Sequence, residues 1–94
     1  MEAKTKRKVR VQVWLSGENG PIVSLDSVLP FDSEPQTGDV ITLGDFGFEV
    51  THKEFEREGR RFVSYIVCRH DAGVAQDATK ISEIIGRELG IPES

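Results

Sequence analysis

The sequence predicts an α+β chain that is mainly β: five antiparallel strands forming a partly open barrel, followed by one C-terminal helix. Three observations carry this. Apolar and polar residues alternate from Lys8 to Leu15 and again along the stretch around Phe48 to Lys53, which is the period of a half-buried strand. Clusters rich in glycine separate these stretches at spacings that suit hairpins. Helical spacing begins only after Asp71, at Ile81, Ile84, Ile85 and Leu89, and several strands followed by one helix point away from an α/β fold.

Taken in order, residues 1–7 are cationic and aperiodic, which predicts a flexible basic tail ahead of a single domain at 8–94. The first strand puts Val9, Val11, Val13 and Leu15 on one face and Arg10, Gln12 and Trp14 on the other. Gly17-Glu18-Asn19-Gly20-Pro21 is a turn, and Ile22 to Leu25 returns antiparallel. Pro30 and Pro35 interrupt the next segment. Asp26 to Thr37 is therefore expected as an irregular connection that tucks Leu29 or Phe31 into the core and leaves 32–35 as an exposed loop.

A three-strand meander follows, with Val40 to Leu43 first and a turn at Gly44-Asp45-Phe46-Gly47. The next strand is expected to set Phe48, Val50 and His52 on one face and Glu49, Thr51 and Lys53 on the other. Glu56 to Arg61 forms a charged hairpin tip with Gly59 as its permissive residue. Phe62 to Cys68 is apolar on both faces apart from Ser64, as a central strand is. In the helix, Asp77 is the expected N-cap, Gly90-Ile91-Pro92 the stop, and Gly86 a point of close approach to the sheet.

A chain of 94 residues with 37% apolar and 30% charged residues builds one core and is not disordered. No apolar run reaches the roughly 18–20 residues that span a bilayer. The basic start is followed by a stretch broken by Arg10 and Gln12, unlike a secretory signal. The single cysteine, Cys68, excludes an internal disulfide and fits the cytoplasm. The net charge of −4 is unevenly spread: residues 11–52 carry seven carboxylates and no Lys or Arg, whereas 1–10 and 53–70 are basic. That disfavours a broad phosphate-binding surface and leaves room for a local basic patch.

Chemistry-bearing clusters are sparse. Cys68, His70 and Asp71 lie close in sequence with His52 on the partner strand, but hairpin parity puts His52 on the opposite face from Cys68 and His70. Three Cys and His residues in total fall short of a structural zinc site. A thiol in an apolar strand has a raised pKa, the wrong direction for a nucleophile. No phosphate loop, dinucleotide fingerprint or serine elbow is present, so no catalytic residue, metal or cofactor is assigned. Glu54, Glu56 and Glu58 have the spacing of a phosphate mimic, but the interleaved arginines spoil that field.

The expected function is a small non-enzymatic protein-interaction domain, an adaptor or inhibitor, with a protein partner, a homodimer through a sheet edge also in view, and no membrane. Its contact candidates are Trp14, Phe46, Arg57, Arg60 and Arg61, residue types that recur in interface hot spots. The alternative is a single-stranded nucleic-acid-binding barrel using Trp14 and the Arg57–Arg61 tip, with bases stacked on aromatics.

Two local resemblances accompany this reading. The string Pro35-Gln36-Thr37-Gly38-Asp39-Val40-Ile41, with Phe48-Glu49-Val50, resembles the opening of SH3-like and transporter-associated small barrels, which share turn geometry more than any activity. The string Lys80-Ile81-Ser82-Glu83-Ile84-Ile85-Gly86-Arg87-Glu88-Leu89-Gly90-Ile91-Pro92-Glu93-Ser94 looks like the first helix and turn of a helix-turn-helix repressor. In that family a recognition helix would begin near residues 92–94, the last of this sequence, so the family's DNA-reading residues have no positions here.

Overall fold

The computed structural model describes residues 5–90. Five strands, β1 (Thr5–Leu15), β2 (Pro21–Phe31), β3 (Val40–Leu43), β4 (Phe46–Glu58) and β5 (Arg61–Ala72), form one sheet in the order β2-β1-β5-β4-β3, followed by α1 (Ala75–Glu88). The sheet curls into a half-barrel with the helix against its inner face. The strands are mixed and not all antiparallel: β1 and β5 pair in parallel from Lys8 opposite Tyr65 to Leu15 opposite Ala72. Each connection reverses the chain, so the first and fifth strands run the same way. At the centre of the sheet their inward residues are fully covered, with Val9, Val11, Val13, Ile66 and Cys68 among the most buried side chains.

The predicted strands are present, β3 with the expected bounds and the other four longer. β1 begins at Thr5, so the basic residues Lys6 and Arg7 belong to a strand paired with Pro30 and Leu29; residues 1–4 of the expected tail lie outside the described residues. β2 runs through Pro30 to Phe31 where an irregular connection was expected. It is an edge strand, where a proline is tolerated. Leu29 and Phe31 both pack against the core, and Pro35 in the following loop is buried.

The core combines Val9, Val11 and Val13 of β1, Phe48 and Val50 of β4, Ile66 and Cys68 of β5, and Ala78, Ile81 and Ile85 of α1. The helix contributes its predicted apolar stripe but begins at Ala75, with Val74 as a cap residue that makes no side-chain bond. Asp77 instead lies in the first turn, where its charge favours the helix dipole. Leu89 closes the helix and Gly90 follows at φ 71°; Ile91 and Pro92 lie outside the described residues. A Cβ on Gly86 would meet nothing within 4 Å, so Gly86 marks no close approach to the sheet. Among the described residues no helix is long and apolar enough to cross a membrane.

One irregularity changes which side chains share a face. Val50 pairs with Cys68 and His52 with Val67, leaving Thr51 as the extra residue of a β-bulge. Phe48 and Val50 therefore share the inner face with Lys53 and Phe55, while His52 joins Glu49, Glu54, Glu56 and Glu58 outside. This corrects the unbroken alternation expected from Phe48 to Lys53.

Candidate functional site

The hairpin of β4 and β5 carries Lys53-Glu54-Phe55-Glu56-Arg57-Glu58, six residues in which acids alternate with cations and one phenylalanine. Glu58 pairs with Arg61, so Gly59 (φ 66°) and Arg60 form a two-residue turn. Strand parity then sends all three glutamates outward and Lys53, Phe55 and Arg57 inward. Sequence neighbours of opposite charge end up on opposite sides of the sheet.

On the outer face the acids are neutralised. Arg10 Nε and Nη2 donate to Asp26 at 2.8 and 3.1 Å, Nη1 to Glu54 at 3.0 Å and Nη2 to Glu56 at 2.6 Å. Its guanidinium also lies 4.4 Å from the Tyr65 ring centre. The hydrogen bonds to Asp26 and Glu56 raise the Arg10 pKa further above its ordinary range. Glu58 accepts from the Tyr65 hydroxyl at 2.8 Å and from Lys8 at 3.3 Å, which lowers its pKa and raises that of Tyr65. Glu54 is lowered first by its bond to His52 and then by Arg10.

The inner face has a different end. α1 covers the half of the sheet toward Ala72 and stops short of the hairpin tip, where Phe55 and Phe62 are 72% and 70% exposed. Phe62 sits opposite Arg57 and Phe55 opposite Ser64, so the rings are diagonal neighbours, ~7–8 Å apart along the sheet. Beside them β1 and β5 part upstream of Lys8 and Tyr65. The groove between them is lined by Lys6, Arg7, Lys8, Arg61, Phe62, Val63 and Ser64, and Arg7 reaches across it to Ser64 Oγ at 3.1 Å. Glu34, from the loop closing the open side, holds Arg7 and Lys53. Lys6, Arg57, Arg60 and Arg61 make no ion pair among the described residues. Strand parity sets Arg57 on the inner face with the two rings, while Lys6 and Arg61, the latter opposite Glu58, lie on the outer side of the same end.

The five contact candidates lie at two ends of the sheet. Trp14 pairs with Asp71 at the far end of the sheet, on the outer face. Its Nε1 donates to Gln12 at 3.1 Å and Arg69 lies 4.1 Å from its ring. Phe46 is half-buried on the inner face at that same end, edge-on to His70. Arg57, Arg60 and Arg61 stand together at the hairpin tip, and their aromatic neighbours are Phe55 and Phe62. The signal for those two lay in the hairpin parity, which pairs Arg57 with Phe62 once the turn is fixed at Gly59-Arg60.

The imidazoles and the thiol do not converge. His52 is outside, bonded to Thr51 and Glu54. His70 is inside, with Nδ1 3.0 Å from the Gly47 carbonyl oxygen. Cys68 is fully buried, and desolvation pushes its pKa up to about 12, so it is a thiol and not a nucleophilic thiolate. Among the described residues no group of three or more His, Cys, Asp and Glu side chains is placed to hold a metal ion. Comparisons with protein-family models, curated proteins and solved structures gave no match.

Proposed function

We propose that the chain is a non-enzymatic protein-interaction domain, acting in the cytoplasm as an adaptor or inhibitor, and that it docks its partner on the inner-face end around Phe55 and Phe62. The observation that carries this is the exposure of two phenylalanines beside Arg57 on the inner face, with Arg60 in the adjoining turn and Lys6 and Arg61 on the outer side of the same end, four cations that make no ion pair among the described residues. Covering one such side chain is worth about 1.5–3 kcal/mol, and arginines beside aromatics are typical anchors of an interface. Charge complementarity selects a partner segment that is acidic and carries apolar anchors.

A second reading has the same surface binding single-stranded nucleic acid, since an aromatic ring flanked by arginine stacks any base. It now uses Phe55 and Phe62 where the sequence pointed to Trp14. The outer face weighs against it. A strand leaving the patch around the sheet meets Glu54, Glu56 and Glu58, while a short acidic segment stays within the patch.

Fluorescence anisotropy at low salt with two labelled probes separates the readings: a synthetic peptide alternating aspartate with leucine, and oligothymidine. The expected result is peptide binding that weakens about tenfold or more in Phe55→Ser/Phe62→Ser. Binding of oligothymidine alone would replace the first reading by the second. Binding of neither, or binding indifferent to the double substitution, would overturn both.

A further inference from the structure

The outer edge of β2 is the longest unpaired strand edge among the described residues, eleven residues against four for β3 at the other side of the sheet. Exposed edges are normally guarded by lysines, prolines, inward charges, bulges or short length. β2 has such guards at its ends, Pro21 with the bulge at Ile22 and Pro30, and none between Val23 and Leu29. β2 carries no Lys or Arg and one acid, Asp26, which Arg10 already holds through two bonds. Its inward side chains Val23, Leu25, Leu29 and Phe31 pack on the core but remain partly exposed. Outward, Ile22 and Val28 are 43% and 51% exposed.

From these features we infer that β2 pairs antiparallel with β2 of a second copy, continuing the sheet across a two-fold axis at Leu25. A symmetric pairing must match residue i with residue j and j with i, so only a few registers are available. Centring on Asp26 sets two like charges face to face, which destabilises a strand pair. Centring on Ser27 places Pro30, which lacks an N–H, opposite Ser24 within the paired span. Centring on Leu25 sets Ile22 opposite Val28 of the second copy, Ser24 opposite Asp26, and Leu25 on itself. Pro30 then falls opposite Gly20, outside β2, and Pro21 opposite Leu29 as the terminal pair, where the first residue of a strand tolerates proline. This register matches the exposed apolar residues with one another and separates the two acids. β1 separates this edge from β5 and the hairpin tip, and the two-fold points the two Phe55–Phe62 ends in opposite directions.

The test combines sedimentation velocity over a wide concentration range with cysteine cross-linking under mild oxidation. The wild-type chain is expected to sediment as a dimer whose dissociation constant rises at least tenfold in Val28→Lys, a substitution at an exposed position that leaves the circular dichroism of the domain unchanged. Of the single variants Leu25→Cys, Asp26→Cys and Ser27→Cys, the first is expected to form the covalent dimer fastest, because only its two sulfurs meet on the axis; buried Cys68 does not compete. A monomer at every concentration, a dimer indifferent to Val28→Lys, or faster cross-linking at Asp26→Cys or Ser27→Cys would overturn the proposal.

Discussion

Arg10 and Asp26 face each other across β1 and β2, and two parallel hydrogen bonds join guanidinium to carboxylate. The same guanidinium bonds Glu54 and Glu56 on β4, beyond the intervening β5. One cation thus ties three strands and discharges the acidic side of the hairpin, which leaves the other side of that hairpin net basic. Arg10→Met is expected to destabilise the fold by about 1–3 kcal/mol, toward the lower end because the carboxylates are 40–50% exposed and screened by water. Lys8→Met, which removes a more exposed pair, is expected to cost below about 1 kcal/mol. Urea unfolding of both variants checks the ranking, and added salt should shrink the difference.

The same outer-face bonds set a pH profile. Glu54 and Glu58 have folded pKa values below 4.5, the former through His52 and Arg10, the latter through Tyr65 and Lys8. Their stabilisation is full above the unfolded value and is lost as pH falls through the lowered folded one. Tyr65 is shifted upward from 10.0 by Glu58, so its stabilisation is full below that pH and is lost as pH rises through the folded value. Thermal melts should therefore fall in acid below pH 4.5 and again in alkali above pH 10.0. Tyr65→Phe should abolish the contribution of this bond to the alkaline fall and weaken the acid one.

Two glycines give opposite expectations for the same substitution. Gly86→Ala in α1 removes a helix-interior glycine without a steric contact, and should stabilise by about 0.5–1 kcal/mol. Gly44→Ala meets φ 61° and an Ile84 methyl 3.2 Å from the new Cβ, and should destabilise by about 1–2 kcal/mol or more. A rise in Tm for the first and a fall for the second, several degrees each, is the readout.

Burial of the thiol is testable directly. Cys68 is fully enclosed between core strands, with Sγ 3.9 Å from the Arg10 carbonyl oxygen. Native protein should react with a thiol reagent only as fast as the sheet opens. The rate should rise with urea well before the unfolding midpoint if opening is local, or track global unfolding if β5 opens last.

Much of the fold was legible because strand period and turn residues act locally. β1, the β3–β4–β5 meander and the helix stripe at Ile81 and Ile85 all follow from spacing. The parallel β1–β5 pair was not legible, since no local signal says which strands meet in the middle of a sheet. Nor was the bulge at Thr51, which costs one residue of alternation and leaves no mark in composition. Its effect was to move His52 outward and to bring Lys53 and Phe55 to the face of Val50. The candidate site was half legible. Arg57, Arg60 and Arg61 stood out as a charged tip, whereas Trp14 and Phe46 stood out as aromatics and Phe62 did not. Those two lie at the far end of the sheet, and Phe62 looked like core because its strand is apolar throughout.

The most direct measurement is a nuclear magnetic resonance titration of the labelled domain with the aspartate–leucine peptide, read residue by residue. The largest shifts are predicted along 55–64 and at Lys6 and Arg7, with Trp14, Phe46 and His70 unmoved. Shifts centred on Trp14 and Phe46, or on the outer-face residues around Arg10, would contradict the account.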